Sequence, residues 1–188
     1  LNGIAGGDRS GFSVSSAGDI NGDGLDDLII GAYYADPNGN RTGASCVVVE
    51  SAVPFSGAVE LSSLDGSNGF VLNGIAGGDL SGRSVSSAGD INGDDIDDLI
   101  IGASAADPNG SQSGESYVVF GSDAPFSGAV ELSSLDGSNG FVLNGIAADD
   151  FSGNSVSSAG DINGDGLDDL IIGASFADPN GAGSGESY

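Results

Sequence analysis

The sequence predicts an all-β protein made from one unit used repeatedly, and three observations support this. The chain superimposes on itself without gaps at a period of 71 residues: LNGIA begins at Leu1, Leu72 and Leu143, and SVSSAGDING begins at Ser13, Ser84 and Ser155. Within the unit, short runs rich in β-branched and aromatic residues alternate with Gly, Asn, Asp and Pro punctuation. No window carries a helical period, and 35 glycines oppose long helices. Residues 72–117 match 143–188 at 37 of 46 positions, and 51–71 match 122–142 at 19 of 21. Separate domains with separate tasks are excluded; the units are 1–71, 72–142 and a partial third over 143–188.

The elements follow in order. SVSSA (13–17, 84–88, 155–159) is the first predicted strand. DLIIGA (27–32, 98–103, 169–174) is the second, apolar at consecutive positions as in a strand covered on both faces. ADPNG (35–39, 106–110, 177–181) is a turn, because proline sets φ and Asn-Gly accepts a reversal. ESYVVF (115–120) and FVLNGI (70–75, 141–146) are the third and fourth strands, with VELSSL (59–64, 130–135) a candidate fifth extended segment. Four short antiparallel strands in a repeat of this length is the arithmetic of a propeller blade, since solenoid coils are shorter or carry helices.

The order GDINGDGLDDLIIGA followed by GESYVVFG resembles the FG-GAP repeat of integrin α-subunit propellers and of many secreted bacterial proteins. The resemblance covers essentially the whole unit. It implies β-propeller-type blades, incomplete as a ring in this chain, a calcium loop in each blade, and loops on one face able to meet protein or sugar ligands. The family's Phe-Gly is replaced here by Phe12-Ser13, Arg83-Ser84 and Asn154-Ser155, and its Gly-Ala-Pro by Gly31-Ala32-Tyr33 and the equivalent Gly-Ala-Ser runs.

The loops at 19–27, 90–98 and 161–169 hold 13 of the 28 acidic residues. Carboxylates ~4 Å apart repel by ~4 kcal/mol per pair at an effective dielectric near 20, and a divalent cation reverses the sign. Calcium takes six to eight hard oxygens, which alternate positions of a tight loop can deliver. The pattern assigns side-chain oxygens to Asp19, Asn21 and Asp23, the backbone carbonyl of Leu25, and a closing carboxylate from Asp27; Asp26 points away. The second loop offers Asp90, Asn92, Asp94, the Ile96 carbonyl and Asp98, and the third Asp161, Asn163, Asp165, the Leu167 carbonyl and Asp169. Three Ca2+ ions are therefore expected, one per repeat. A full EF-hand is excluded, because its twelfth-position Glu and flanking helices are missing. The sixth loop position, expected at positive φ, is Gly24 and Gly166 but Asp95 in the middle loop. Asp8, Asp79 and Asp150, and Asp65 and Asp136, read as turn formers.

A formal charge of -25, with only Arg9, Arg41 and Arg83 positive, argues against nucleic acid and anionic membrane surfaces as partners. No apolar run is long enough to span a bilayer, so membrane insertion is not expected. The single Cys46 stands in register with Tyr117 and Tyr188, a strand position that accepts a medium side chain. With no His and no Lys, the means for proton transfer or nucleophilic attack are few, and no enzyme is expected. The expected function is a calcium-stabilised structural or adhesive repeat protein, extracellular because millimolar calcium fills such loops. It would assemble edge to edge with other copies of itself or with the remainder of a longer repeat chain, into a propeller, ring or filament. The alternative is a calcium-dependent propeller that recognises a glycan or protein, with Tyr33, Tyr34 and Phe176 on the binding face; a hydrolase is the remotest reading.

Overall fold

The computed structural model describes residues 1–50 and 57–188. The opening six residues of the repeated segment at 51–71 lie outside the described residues. The chain folds into three sheets set in series, antiparallel apart from one parallel strand added at the edge of the first. The first sheet contains β1 (Ser13–Gly18), β2 (Asp27–Ala32), β3 (Ala44–Val48) and β4 (Gly69–Asn73). The second contains β5 (Ser84–Gly89), β6 (Asp98–Ala103), β7 (Glu115–Val119) and β9 (Gly140–Asn144). The third contains β10 (Ser152–Gly160), β11 (Asp169–Ala174) and the short β12 (Glu186–Ser187). DLIIGA forms β2, β6 and β11 at the predicted bounds, each paired on both sides. The strand built on FVLNGI closes the sheet of the preceding SVSSA hairpin, so β4 straddles the boundary between 71 and 72.

The candidate fifth segment is resolved into two parts. β8 (Ala129–Glu131) pairs in parallel with β4 of the first sheet, Leu72 opposite Val130, and Leu132–Ser134 then turn as a single 3-10 helix. Leu61–Ser63 form the same turn one repeat earlier, after a parallel bridge between Asn2 and Glu60. The segment is thus a strap that crosses from one blade to the edge of its neighbour. Phe126 stacks on Phe70 at 4.1 Å beneath the strap, and the Asn73 amide donates to Glu131 at 2.7 Å.

Backbone contact at glycine sets how closely the blades approach. A Cβ on Gly31 or Gly102 would lie 2.0 Å from the carbonyl oxygen of Gly82 or Gly153 in the next blade. Alanine at either position would push two sheets apart. The core runs across this seam, with Ile29, Val47, Leu72, Val85, Leu99, Ile101 and Tyr117 buried together. Cys46 lies in β3 at 1% exposure, and burial pushes its thiol up to about 11, which keeps it unreactive. No helix among the described residues is long and apolar enough to cross a membrane.

Candidate metal centre

Each acidic loop joins the first two strands of a blade, so its first residue follows one strand and its ninth opens the next. The short polar side chains fold the loop onto themselves. In the first loop the Asp19 carboxylate accepts the amides of Asp23 (2.9 Å) and Gly24 (2.8 Å), Asn21 Oδ1 accepts Asp23 N–H (2.8 Å), and Asp23 Oδ1 accepts Leu25 N–H (2.9 Å). The second loop repeats this: Asp90 accepts Gly93, Asp94 and Asp95, and Asp94 accepts Ile96. In the third, Asp161 accepts Gly164, Asp165 and Gly166, Asn163 accepts Asp165, and Asp165 accepts Leu167. The sixth position has φ +87° at Gly24 and +91° at Gly166, and Asp95 keeps the same left-handed turn at +67°. The substitution of Asp for Gly therefore leaves the loop conformation intact, at the cost a side chain carries in that region.

The closing aspartates differ in setting. Asp27 and Asp98 are fully buried. Asp27 accepts Glu50 N–H at 2.8 Å and Asp98 accepts Gly121 N–H at 2.8 Å, from residues just past the third strand. Burial raises both carboxyls to about 6; these backbone bonds oppose the shift, and loop neighbours Asp23 and Asp19, or Asp94 and Asp90, add to it. Asp169 is half-buried and accepts Ile162 N–H at 3.0 Å and the Asn163 amide at 3.2 Å.

Two buried carboxyls, each crowded by two further carboxylates, suit a cation that would neutralise them. The donors are all hard oxygens, as calcium requires. The side chains are not drawn into one coordination shell: among the described residues no three acidic, His or Cys side chains stand close enough together to hold an ion. Each loop instead gathers its Asp-Asn-Asp residues around amides at one end and presents the closing Asp from the strand.

Asp26 was expected only to point away from the loop, and its counterparts have a role that sequence reasoning missed. The Asp97 carboxylate reaches the previous blade and accepts Asp19 N–H at 2.9 Å, while its own N–H donates to the Asp19 carbonyl at 3.2 Å. Asp168 brackets Asp90 in the same way, at 3.1 Å for both bonds. Gly18 and Gly89 precede the bracketed residues, and a Cβ on either would lie within 2.2 Å of the bracketing carboxylate. The eighth position of one loop thus fastens the first position of the loop before it.

A family model described as FG-GAP repeat matches residues 10–48, 81–119 and 152–188, more than half of the chain and every acidic loop. The chain belongs to the FG-GAP repeat family. FG-GAP repeats are propeller blades, and the three blades here form an open series rather than a closed ring. No curated protein matches the chain. The first two FG-GAP matches begin three residues before β1 and β5, the third begins at the start of β10, and each runs through the acidic loop into the third strand.

The other recurrent aspartates behave as turn formers. Asp8, Asp79 and Asp150 accept the amides of Ala5, Ala76 and Ala147 three residues before them. Asp65 and Asp136 accept both the amide and the hydroxyl of Ser67 and Ser138, and these bonds lower their carboxyls below the usual range. Asp36, Asp107 and Asp178 of the ADPNG turns accept amides five residues on.

Proposed function

We propose that these FG-GAP blades are calcium-stabilised structural or adhesive modules of an extracellular protein. The observation that carries this reading is the burial of Asp27 and Asp98 among carboxylates, with no neighbouring cationic side chain among the described residues, at the closing position of a nine-residue oxygen-rich loop. Asp19, Asn21, Asp23, the Leu25 carbonyl and Asp27 would hold the first ion, and the equivalent residues of the other loops the second and third. The ion would supply counter-charge and fix the loop that joins the edge strand of each sheet to its neighbour. Binding energy of this kind is folding energy, and an extracellular medium supplies enough calcium for weak sites.

Assembly at the blade edges is part of the same proposal. Asp26 is exposed on the first blade, and among the described residues no neighbour lies within 4 Å of the Gly160 Cβ position on the third. A further blade can be fastened at either edge by the bracket that already joins the three. Isothermal titration with calcium tests the reading: three bound ions per chain and a large rise in melting temperature are expected. No binding at millimolar calcium would overturn it. Native mass measured with and without calcium tests the assembly.

A second reading, ligand recognition, is favoured by one specific observation. All three arginines of the chain gather at one aromatic cluster at the other end of the first blade. A binding role fits a sequence without His or Lys better than catalysis does.

A further inference from the structure

The strands of a blade have two ends, and their chemistry differs. The acidic loops join β1 to β2, β5 to β6 and β10 to β11; the turns before β1 and after β2 stand at the opposite end of the same hairpin. Six strand residues separate the two ends, roughly 20 Å at ~3.3 Å per residue. That is more than two Debye lengths at physiological ionic strength, so the acidic loops are screened from the far end.

The first blade carries Phe12, Tyr33 and Tyr34 at that far end, with ring centroids 4.6 Å and 4.4 Å apart in sequence order. Tyr33 is buried at 3% exposure and anchors the cluster; its hydroxyl accepts Arg9 Nη1–H at 2.6 Å. The Arg9 guanidinium sits 4.3 Å from the Tyr34 centroid and that of Arg41 4.4 Å from the same centroid. Two like charges therefore share one ring, inside ~9 Å of each other, in a chain with 28 acidic residues available to neutralise them. Arg83 differs from this pair. It comes from the second blade, lies over Phe12 and Tyr33, and donates from Nε to Asn154 of the third blade at 3.1 Å, so it ties the seam.

Arg9, Tyr34 and Arg41 line an open cleft of about 440 Å³ together with Asp8, Asp36 and Asn40. Asp8 gives one carboxylate oxygen to Ala5 N–H and Asp36 gives one to Arg41 N–H, which leaves each a second oxygen. The cleft thus combines two forked cationic donors with acceptors and an amide. A carboxylate or sulfate matches the guanidinium forks, and hydroxyls match the remaining oxygens and Asn40. Asp8 and Asp36 repel any anionic group not held on a guanidinium, so the cleft suits a carboxylate or sulfate flanked by hydroxyls better than a run of peptide carboxylates, which offers those oxygens no donor.

The other blades do not reproduce the site. Arg9, Tyr34 and Arg41 correspond to Leu80, Ala105 and Gln112 in the second repeat, and to Phe151, Phe176 and Gly183 in the third. All six loop or turn positions at Arg9 and Arg41 and their equivalents have positive φ, so the backbone scaffold is shared and only the side chains differ.

We propose that the Tyr34 cleft of the first blade binds an acidic saccharide, with Arg9 and Arg41 receiving its carboxylate or sulfate. The proposal rests on the ligand-recognition reading and is independent of the calcium reading. Titration calorimetry of the calcium-loaded chain at 150 mM salt, with trigalacturonate and a sulfated heparin tetrasaccharide as probes, tests it. Saturable binding of at least one probe is expected, at least tenfold tighter than that of neutral galactotriose. Arg41→Gln is expected to weaken it at least tenfold, with Arg41→Lys intermediate, while Arg83→Gln stays within about twofold. A melting curve within a few degrees of the parent shows that Arg41→Gln is folded; if it is not, Arg41→Lys carries the comparison. Equal affinity for the neutral sugar, an unchanged Arg41 variant, or tighter binding of a hexaglutamate peptide would each overturn the proposal. Calcium stoichiometry measured without sugar tests the metal reading separately, so the two can fail independently.

Discussion

At one end of each hairpin stands a nine-residue loop with four or five carboxylates; at the other stand turns that in the first blade carry two of the three arginines and three aromatic rings. The same strands connect both. Repeats two and three differ within 72–117 at nine positions, and seven of these, Gly77, Gly78, Leu80, Arg83, Ala105, Ser111 and Gln112, lie at the turn end. Only Asp95 and Ile96 lie in an acidic loop. One end therefore repeats its chemistry, and the other gives each blade its own surface. The contrast teaches that the repeated chemistry and the variable surface stand at opposite ends of the strands.

Calcium removal should break the comparison most severely, since it acts on the repeated end alone. An ion present at 100 times its dissociation constant contributes about 2.7 kcal/mol, so three sites amount to ~8 kcal/mol, comparable with the whole stability of a domain. Excess chelator is expected to lower the melting temperature by roughly 15–30 °C. A shift of less than a few degrees in calorimetry would remove the structural role of the loops.

Single ligands come next. Asp98→Ala is expected to lose one bound ion and about 3 kcal/mol of stability, because it also strands the Gly121 and Ile91 amides that the buried carboxylate accepts. Asp169→Ala should lose an ion at about half that energetic cost, its carboxylate being only half-buried. Urea unfolding of both variants in calcium measures the difference; equal losses would show that burial of the closing aspartate does not matter.

The bracket across the seam gives a smaller effect. Asp97→Ala removes a charge-assisted bond to Asp19 and is expected to cost about 1.5–2 kcal/mol, whereas Asp26→Ala, at the exposed counterpart, should cost less than about 0.5 kcal/mol. If the two variants unfold at the same urea concentration, the bracket contributes nothing to blade docking.

The pH response sharpens the contrast further. In chelator, Asp27 and Asp98 hold their protons up to about 6, well above an unfolded aspartate. The folded chain then binds more protons than the unfolded chain between about pH 4 and 6, so stability should fall as pH rises through that window. Calcium requires the ionised carboxylates, and in its presence the same melts should rise with pH. At the turn end, Arg41→Gln should change stability by no more than about 0.5 kcal/mol under either condition, since its guanidinium is exposed on a ring.

Much of the fold was legible because its signals are local. DLIIGA reads as a strand from apolar run and punctuation, and the observed bounds match in every repeat. Its covering was not equally legible. The six identical residues are buried throughout in β6, but partly exposed in β11, where fewer neighbours pack on the sheet. The loops were legible as loops, with Asp95 holding the left-handed turn that a sixth-position glycine takes elsewhere. The parallel pairing of β8 with β4 was not, because VELSSL carries no mark of which blade it will cross to. The reach of Asp97 to Asp19, 78 residues away, and the meeting of Arg9, Arg41 and Arg83 also depend on how blades stack. Sequence periodicity reports what each unit is, and stacking decides what it touches.

The Asp97 and Asp168 brackets have a consequence for how such a molecule can grow. Every unit brings its own hook, the eighth-position carboxylate, and its own eye, the amide and carbonyl of the first loop residue beside a glycine that leaves room. Duplication of one gene segment therefore yields a copy that fits its neighbours at once, with no new surface to invent, and the length of the array can be altered by recombination alone.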